Sequence, residues 1–358
     1  MKKSRVFIGL ANTGYNASYI SRSLRKIGIK ATSYSYYNVS FGEKTDYSNL
    51  LFRNNRKYKF LRFFTSKINK LLKNLLFLRS LLKYDVFIFI SKYTFFSKNE
   101  DLPILKFFGK KIAFIFPGCI ERDPTDKINL GDNGICSKCQ DIKKQDFCNC
   151  NDLIKKRNII QHIERYSDFI FDQEDTRSFL QSTNKSHFFY VIADKPKDQM
   201  SLLQKFENVE KVNIVHFPSN VLLKGTEFVE PVITKLKSKF PNKINFISKR
   251  VAHDELLNIL SQSHILIDQF NGFYGLLGVE GMAHGCVTIE YIRDSSQKKF
   301  KNLPIESITP NNLYEKLCYY IENVDKMKEI GTKSIHYFNK YHTPVAVANY
   351  YKKNLKLY

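Results

Sequence analysis

Short apolar runs alternate with longer amphipathic segments from the start of the chain. RVFIGL, KATSYSYY, YDVFIFIS and KKIAFIF have the length and the β-branched or aromatic content of strands, whereas YISRSLRKIGI and DLPILKFFG space their apolar residues as helices do. QHIERY, SDFIFDQ, EDTRSFLQS and HFFYVIA add a further helix–strand–helix–strand unit. Such alternation predicts an α/β fold, a parallel sheet with crossover helices. The stretch ADKPKDQMSLLQKFENVEK then lacks a long apolar run and carries Pro196 among charges, so a connection between domains is expected near residues 195–211. A second series begins at VNIVHF and continues through EFVEPVITKLKSKF, KINFISK, DELLNILSQ, HILIDQF and CVTIEYI.

Two open parallel sheets facing a central cleft are therefore expected. The predicted divisions are residues 1–195 with a cysteine-rich insertion at about 131–152, a linker at 196–211, a second domain at 212–340, and a helix in 341–358 packing back toward the first domain. Open α/β sheets bind ligands at the carboxyl ends of their strands, where the strand order reverses. At 358 residues the chain is long enough for two such cores.

Polar patterning narrows the partners. The chain has 57 Lys and Arg against 34 Asp and Glu, a formal charge of +23, which calls for an anionic partner: nucleic acid, a phosphate-rich substrate or an anionic membrane surface. No nucleic-acid module accompanies the charge, so nucleic acid is the disfavoured partner. The six-residue apolar run VFIGLA is too short for a signal peptide, so a cytoplasmic location is expected. LLKNLLFLRSLLKYDVFIFI is interrupted by Lys73, Arg79, Lys83 and Asp85; it can lie on a bilayer but not cross one. Residues 49–84 hold ten Lys and Arg and no acid, interleaved with Phe60, Leu61, Phe63, Phe64, Ile68, Leu71, Leu72, Leu75 and Leu76. That pattern suits the inner face of a membrane, and equally an ordinary surface helix.

Two stretches carry candidate chemistry. In NGFYGLLGVEGMAHG, Gly272, Gly275, Gly278 and Gly281 recur every third residue across a strand-to-helix junction, with Glu280 as the single acid. Missing side chains let a ligand reach the backbone, free N–H groups at the helix start favour phosphate, and Glu280 could accept hydrogen bonds from a ribose diol. Equally, the glycines could serve tight helix–sheet packing and Glu280 the helix dipole. In VNIVHFPSNVLLKGTEF a strand runs into a loop with Ser219 and then Lys224-Gly225-Thr226, which places a cation and backbone donors where phosphate could bind.

HFPSNVLLKGT (216–226), KRVAHDELLNILSQSHILIDQF (249–270) and GFYGLLGVEGMAHGCVTI (272–289) together resemble the nucleotide-sugar-binding half of the retaining glycosyltransferases of family 4, which have the GT-B fold of two Rossmann-like domains. The likeness extends over roughly residues 210–350. It implies a nucleotide-diphosphate sugar as co-substrate, with Lys224 on the donor pyrophosphate and Glu280 on the ribose. Backbone groups of Phe273, Tyr274, Gly275 and Leu276 would hold sugar and phosphates, Arg250 and Val251 would lie near the base, and Gly14 would belong to the loop that closes on the donor. The implied acceptor is a glycan or a lipid-linked sugar, as in bacterial surface polysaccharide (lipopolysaccharide or capsule) synthesis. No base and no catalytic metal are expected, because in that family the leaving diphosphate helps deprotonate the acceptor. The chain departs from the family at Gly272, where relatives carry a glutamate, at Ser219, where they often carry an arginine, and in the turn Phe116–Arg122. A catalytically silent relative that binds an anionic surface or nucleic acid, and a nucleotide-sugar epimerase, stand as alternatives. The sequence has neither a GxGxxG motif after the first strand nor a phosphate-binding Walker lysine, which argues against a nicotinamide dehydrogenase or a P-loop enzyme.

Of seven cysteines, Cys136, Cys139, Cys148 and Cys150 form C-x2-C-x8-C-x-C in a polar loop, a set suited to a structural zinc or, failing metal, to free or redox-active thiols. Cys119, Cys286 and Cys318 sit in or beside apolar runs and read as buried small side chains. His216 and His284 flank the two donor-side elements and read as structural.

Overall fold

The computed structural model describes residues 3–37, 44–52, 59–117, 153–172, 179–221, 224–270, 272–300 and 302–358. The cysteine quartet, Cys119 and most of the Phe116–Arg122 turn lie outside the described residues. Two compact units result: the first from residues up to 117, 153–190 and Pro344–Tyr358, the second from Val191–Thr343.

In the first unit the order is β1 (Arg5–Gly9), α1 (Asn16–Lys26), β2 (Lys30–Ser33), α2 (Lys59–Lys83), β3 (Val86–Ile90), α3 (Asp101–Phe107), β4 (Lys111–Phe116), α4 (Leu153–Tyr166), β5 (Phe169–Asp172) and β6 (Ser186–Phe188). The strands are all parallel, in spatial order β2-β1-β3-β4-β5-β6. VFIFI of β3 is buried at every position, as a central parallel strand covered on both faces must be. One face is aromatic: Phe7 stacks on Tyr34 at 4.7 Å and meets Phe95 at 5.1 Å, and Phe89 meets Phe114 at 5.3 Å. The C-terminal helix Pro344–Asn354 packs on α1, with Tyr351 edge-on to Phe171 at 4.8 Å.

Two strands are shorter than the apolar runs suggest. KATSYSYY leaves the sheet after Ser33, and Tyr34 instead bridges to Tyr47. HFFYVIA keeps only the edge strand β6.

The second unit runs β7 (Val212–His216), α5 (Thr226–Lys239), β8 (Ile244–Ser248), α6 (His253–Gln262), β9 (Ile265–Ile267), α7 (Leu276–Ala283), β10 (Val287–Glu290), α8 (Asp294–Lys299), β11 (Glu306–Ser307), α9 (Leu313–Glu322) and α10 (Val324–Tyr341). Its sheet is parallel too, in the order β11-β10-β9-β7-β8. Read from β8, this is the doubly wound order 2-1-3-4-5, so strand order reverses between β7 and β9.

The stretch 196–211, read from sequence as a bare connection, is part of this unit. Its short 3-10 helix Ser201–Phe206 buries Leu203 and Phe206 in the second core, and the Gln199 side-chain amide donates to the Ala283 carbonyl at 2.9 Å. Two apolar residues three apart suffice for one helical turn to dock, too short a signal to stand out among charges.

Candidate functional site

Loops leaving β7 and β9 meet where the strand order reverses. After β7 the chain passes exposed Ser219, then Lys224 and Gly225, and enters α5. Gly225 has φ +67°, and the Phe270 ring fills the space a Cβ would need, so only glycine fits. His216 locks this entry. Its Nδ1 donates to the Ile267 carbonyl at 2.9 Å and its Nε2 accepts from the Thr226 hydroxyl at 2.9 Å, joining β9 to the first turn of α5. Burial lowers the His216 pKa, as it does that of His284, whose Nδ1 donates to the Glu280 carbonyl at 2.8 Å. Both are structural.

Lys224 extends over the end of β9. Its ammonium is ion-paired with Asp268, which is fully buried, and donates to Gln269 Oε1 at 3.2 Å. Gln269 Nε2 donates in turn to the Phe273 carbonyl at 2.8 Å, so one side chain ties the lysine to the glycine turn. Beneath them lies Glu290, the last residue of β10 and completely buried. Burial, reinforced by the Asp268 charge, raises its pKa well above the usual carboxylate range.

The glycines of the turn divide by role. Gly272 has φ +86° and is stitched to the segment just after β10: its N–H donates to the Tyr291 carbonyl at 3.0 Å, and its carbonyl accepts the Arg293 N–H at 3.0 Å. The buried Arg293 side chain adds a bond from Nε to the same carbonyl at 3.2 Å. A Cβ on Gly278 would overlap Glu290, and one on Gly281 would lie 2.6 Å from Leu266 and 2.7 Å from Thr288. These two serve helix–sheet packing. At Gly275, immediately before α7, a Cβ would meet only Gln269 Nε2 at 3.4 Å. It is there that a ligand could approach the first N–H groups of α7, which begins at Leu276 and whose geometry leaves them without helix partners.

Glu280 lies in the middle of α7, its side chain 6% exposed. His253, the first residue of α6, is bonded through Nε2 to Glu280 Oε1 at 2.6 Å. Burial pushes the Glu280 pKa up, an effect His253 opposes; the bond to Glu280 in turn raises the pKa of His253. The structure thus brings Lys224, Gly272, Phe273, Gly275, Leu276 and Glu280 together around the ends of β7 and β9. Tyr274 is buried against His342 at 5.5 Å between ring centroids, leaving its backbone as its contribution. Arg250 and Val251 lie between β8 and α6, Arg250 exposed and Val251 half-buried. Gly14 is in the first unit, at φ +57° in the turn after β1.

Sequence reasoning missed Asp268, Gln269, His253, Glu290 and Arg293. Asp268 and Gln269 were hidden in HILIDQF, a run legible only as a buried strand, although two polar residues directly after such a strand stand where an α/β sheet binds ligands.

Among the described residues no cluster of His, Cys, Asp or Glu is arranged to hold a metal ion, and Cys286 and Cys318 are buried. Residues 59–83 of the basic stretch form α2, 25 residues long; no described helix is long and apolar enough to cross a membrane. Phe77 and Leu81 are buried on its inner face, while Phe64, Ile68, Leu71, Leu75, Leu78 and Leu82 are exposed at alternating intervals of four and three.

No protein-family model matches the sequence, and no curated protein does either. Solved structures do. Anabaena HepE in complex with UDP and glucose aligns over 99% of this chain and 100% of its own, with TM-score 0.60 and 10% identity. Sucrose-phosphate synthase from Thermosynechococcus elongatus aligns over 99% and 98%, with TM-score 0.64 and 9% identity. WaaG, a glycosyltransferase involved in lipopolysaccharide biosynthesis, aligns over 96% and 98%, with TM-score 0.54 and 9% identity. These neighbours are GT-B glycosyltransferases, and this chain, two parallel α/β sheets aligned with theirs nearly end to end, has the GT-B fold.

Proposed function

We propose that the protein is a retaining glycosyltransferase that binds a nucleotide-diphosphate sugar in its second unit and transfers the sugar to a glycan or lipid-linked acceptor at a membrane surface. The observation that carries this reading is the placement of Lys224 and Glu280, from loops or helices that follow different strands, around the point where strand order reverses. The solved complexes of HepE with UDP and with UDP-glucose support the donor class.

In this reading the diphosphate lies over Gly275, between the Lys224 ammonium and the first N–H groups of α7. Both stabilise the negative charge that grows on the leaving group as the glycosidic bond breaks. The departing phosphate oxygen accepts the acceptor hydroxyl proton on the same face of the sugar, so no side-chain base is assigned. Glu280 Oε2 has no protein partner among the described residues and takes the ribose hydroxyls, while His253 holds Oε1 in place.

The exposed stripe of α2 supports the membrane surface as its partner. Fully burying a leucine-sized side chain stabilises by about 1.5–3 kcal/mol. Lys67, Arg79 and Lys83 flank the stripe, and no acid lies between residues 49 and 84. A second copy of the helix would bring like charges together, whereas an anionic bilayer accepts both the apolar face and its basic borders.

Calorimetric titration of a panel of nucleoside diphosphates and their sugars into wild type and Glu280→Ala tests the donor site. Micromolar binding of one nucleotide, lost in the variant, is expected; no binding by any of them would remove the reading. The neutralised Lys224 favours one rival, a relative that binds without turnover. Sugar transfer from the bound donor excludes it.

A further inference from the structure

A second site lies in the first unit, against the inner flank of α2. A cavity of about 600 Å³ opens between α2 and the segments that follow β2 and β3, the carboxyl-end side of that sheet where α/β folds bind ligands. Lys70, Lys73 and Asn74 line it from α2, Tyr37 from the segment after β2, and Phe96 and Glu100 from the segment after β3.

Lys73 is the informative group. Its ammonium sits 5.0 Å from the centre of the Tyr36 ring, and the Tyr36 hydroxyl is directed at the Thr94 and Phe95 carbonyls at 3.4 and 3.3 Å. The ring is thereby fixed, and the cation rests on its face. Lys73 is half-buried, and that desolvation lowers its pKa, yet no carboxylate is paired with it among the described residues. Lys70 stands one turn away on the same helix, so two like charges face the cavity side by side, an arrangement that costs free energy until an anion joins them. Glu100, the one acid on the wall, accepts the Lys98 backbone N–H at 3.1 Å. Neighbouring Asn69 is fully engaged, its amide bonded both ways to the Phe52 backbone at 2.9 Å, which clips the segment before α2 onto the cavity rim.

We propose that this cavity binds a phosphate group carried by the sugar acceptor, with Lys70 and Lys73 as its cations and Tyr37, Asn74 and Phe96 against the sugar. Two lysines one turn apart match a doubly charged phosphate better than a single carboxylate, and an aromatic wall beside polar side chains suits a sugar ring. The inference rests on reading the first unit as the acceptor side of a glycosyltransferase. It adds the chemical class of the acceptor: a phosphorylated sugar, free or lipid-linked.

The test uses the full chain. Glucose 1-phosphate, with uncharged glucose as control, is titrated calorimetrically into wild type, Lys73→Met, Lys73→Arg, Lys70→Met and Lys224→Ala, and each variant is checked by thermal melting. Glucose 1-phosphate should bind wild type and Lys224→Ala alike and glucose far more weakly. Lys73→Met should lose roughly tenfold, the worth of one charge-assisted hydrogen bond, and Lys73→Arg should retain binding. Should Lys73→Met fail to fold, exposed Lys70→Met carries the comparison. A parallel arm floats the proteins with phosphatidylcholine vesicles with and without phosphatidic acid. Lys73-dependent binding there but not to glucose 1-phosphate identifies the phosphate as a lipid headgroup. Indifference of both arms to Lys73→Met and Lys70→Met, or loss in Lys224→Ala instead, overturns the proposal. UDP titrated into the same samples separates the two readings: a chain that binds glucose 1-phosphate through Lys73 and ignores UDP keeps this site and loses the nucleotide-sugar assignment.

Discussion

Lys224 and Asp268, 44 residues apart in sequence, are ion-paired across the point at which the second sheet reverses its strand order. Asp268 is fully buried, so the lysine has two duties: it compensates an internal charge and, in the proposed function, meets the donor phosphates. Lys224→Ala alone should therefore destabilise the protein by about 3–5 kcal/mol, because it strands a buried carboxylate, and should also weaken nucleotide binding. Lys224→Ala with Asp268→Asn separates the two effects. Denaturant unfolding of the double variant should return most of the stability, while UDP affinity stays low. If affinity returned with stability, Lys224 would be structural only.

Two glycines three residues apart should respond in opposite ways. Gly278→Ala drives a Cβ into Glu290 beneath the helix and should cost about 1–3 kcal/mol, the usual range for overpacking. Gly275→Ala has room and a φ of −110° open to any residue, so stability should be nearly unchanged. Diphosphate affinity should nevertheless fall, since the added methyl stands before the first N–H groups of α7. Thermal melts and UDP titration of both variants check the contrast, and equal affinity in wild type and Gly275→Ala would place the phosphates elsewhere.

This division of the glycines shows where the sequence was legible. VNIVHF, HILIDQF and CVTIEYI are runs whose length and composition suit only buried parallel strands, and each became one. Lys224 and Glu280 were visible because each stands alone in a local strand-to-helix pattern. Their partners were not: Asp268 ends an apolar run, and His253 approaches Glu280 from 27 residues away, a pairing created by the docking of α6 on α7 and by no local periodicity. The cavity beside α2 was hidden for the same reason, since Tyr36 and Lys73 meet only once the sheet has formed. Of spaced glycines, sequence can say that small residues are needed but not which neighbour needs them.

The His253–Glu280 pair predicts how stability depends on pH. His253 has a raised pKa in the fold, so it contributes stability that is fully present below the ordinary histidine value of about 6.5 and is lost as pH rises through its folded value. The raised Glu280 pKa acts in the same sense, because the fold favours its protonated form. His187, His216, His264, His284 and His342 are all lowered by burial, so their contributions are complete by about pH 6.5 and do not oppose that of His253 above it. Wild-type stability should thus decline as pH rises from about 6.5, and Glu280→Gln, which removes the carboxylate and lets His253 return toward its ordinary value, should flatten that decline. Chemical denaturation at closely spaced pH values reads both slopes; parallel slopes would mean the pair carries no proton.

The outer face of α2 makes the last prediction. Leu71, Leu75 and Leu78 are each more than half exposed, so Leu71→Glu with Leu78→Glu removes nothing from the core and should leave the melting temperature within the small range of surface substitutions. It breaks the apolar stripe and adds two negative charges among the cations that border it. Binding to phosphatidylglycerol vesicles in a flotation assay should fall more than tenfold, and wild-type binding should weaken as salt screens Lys67, Arg79 and Lys83. Vesicles of phosphatidylcholine alone should bind poorly, because apolar contact without charge is the weaker half of the attraction. The rival occupant, a second copy of the chain, has its own signature. If wild type sediments as a dimer, the double variant as a monomer, and neither floats with anionic vesicles, then the stripe is a subunit interface and not a membrane contact.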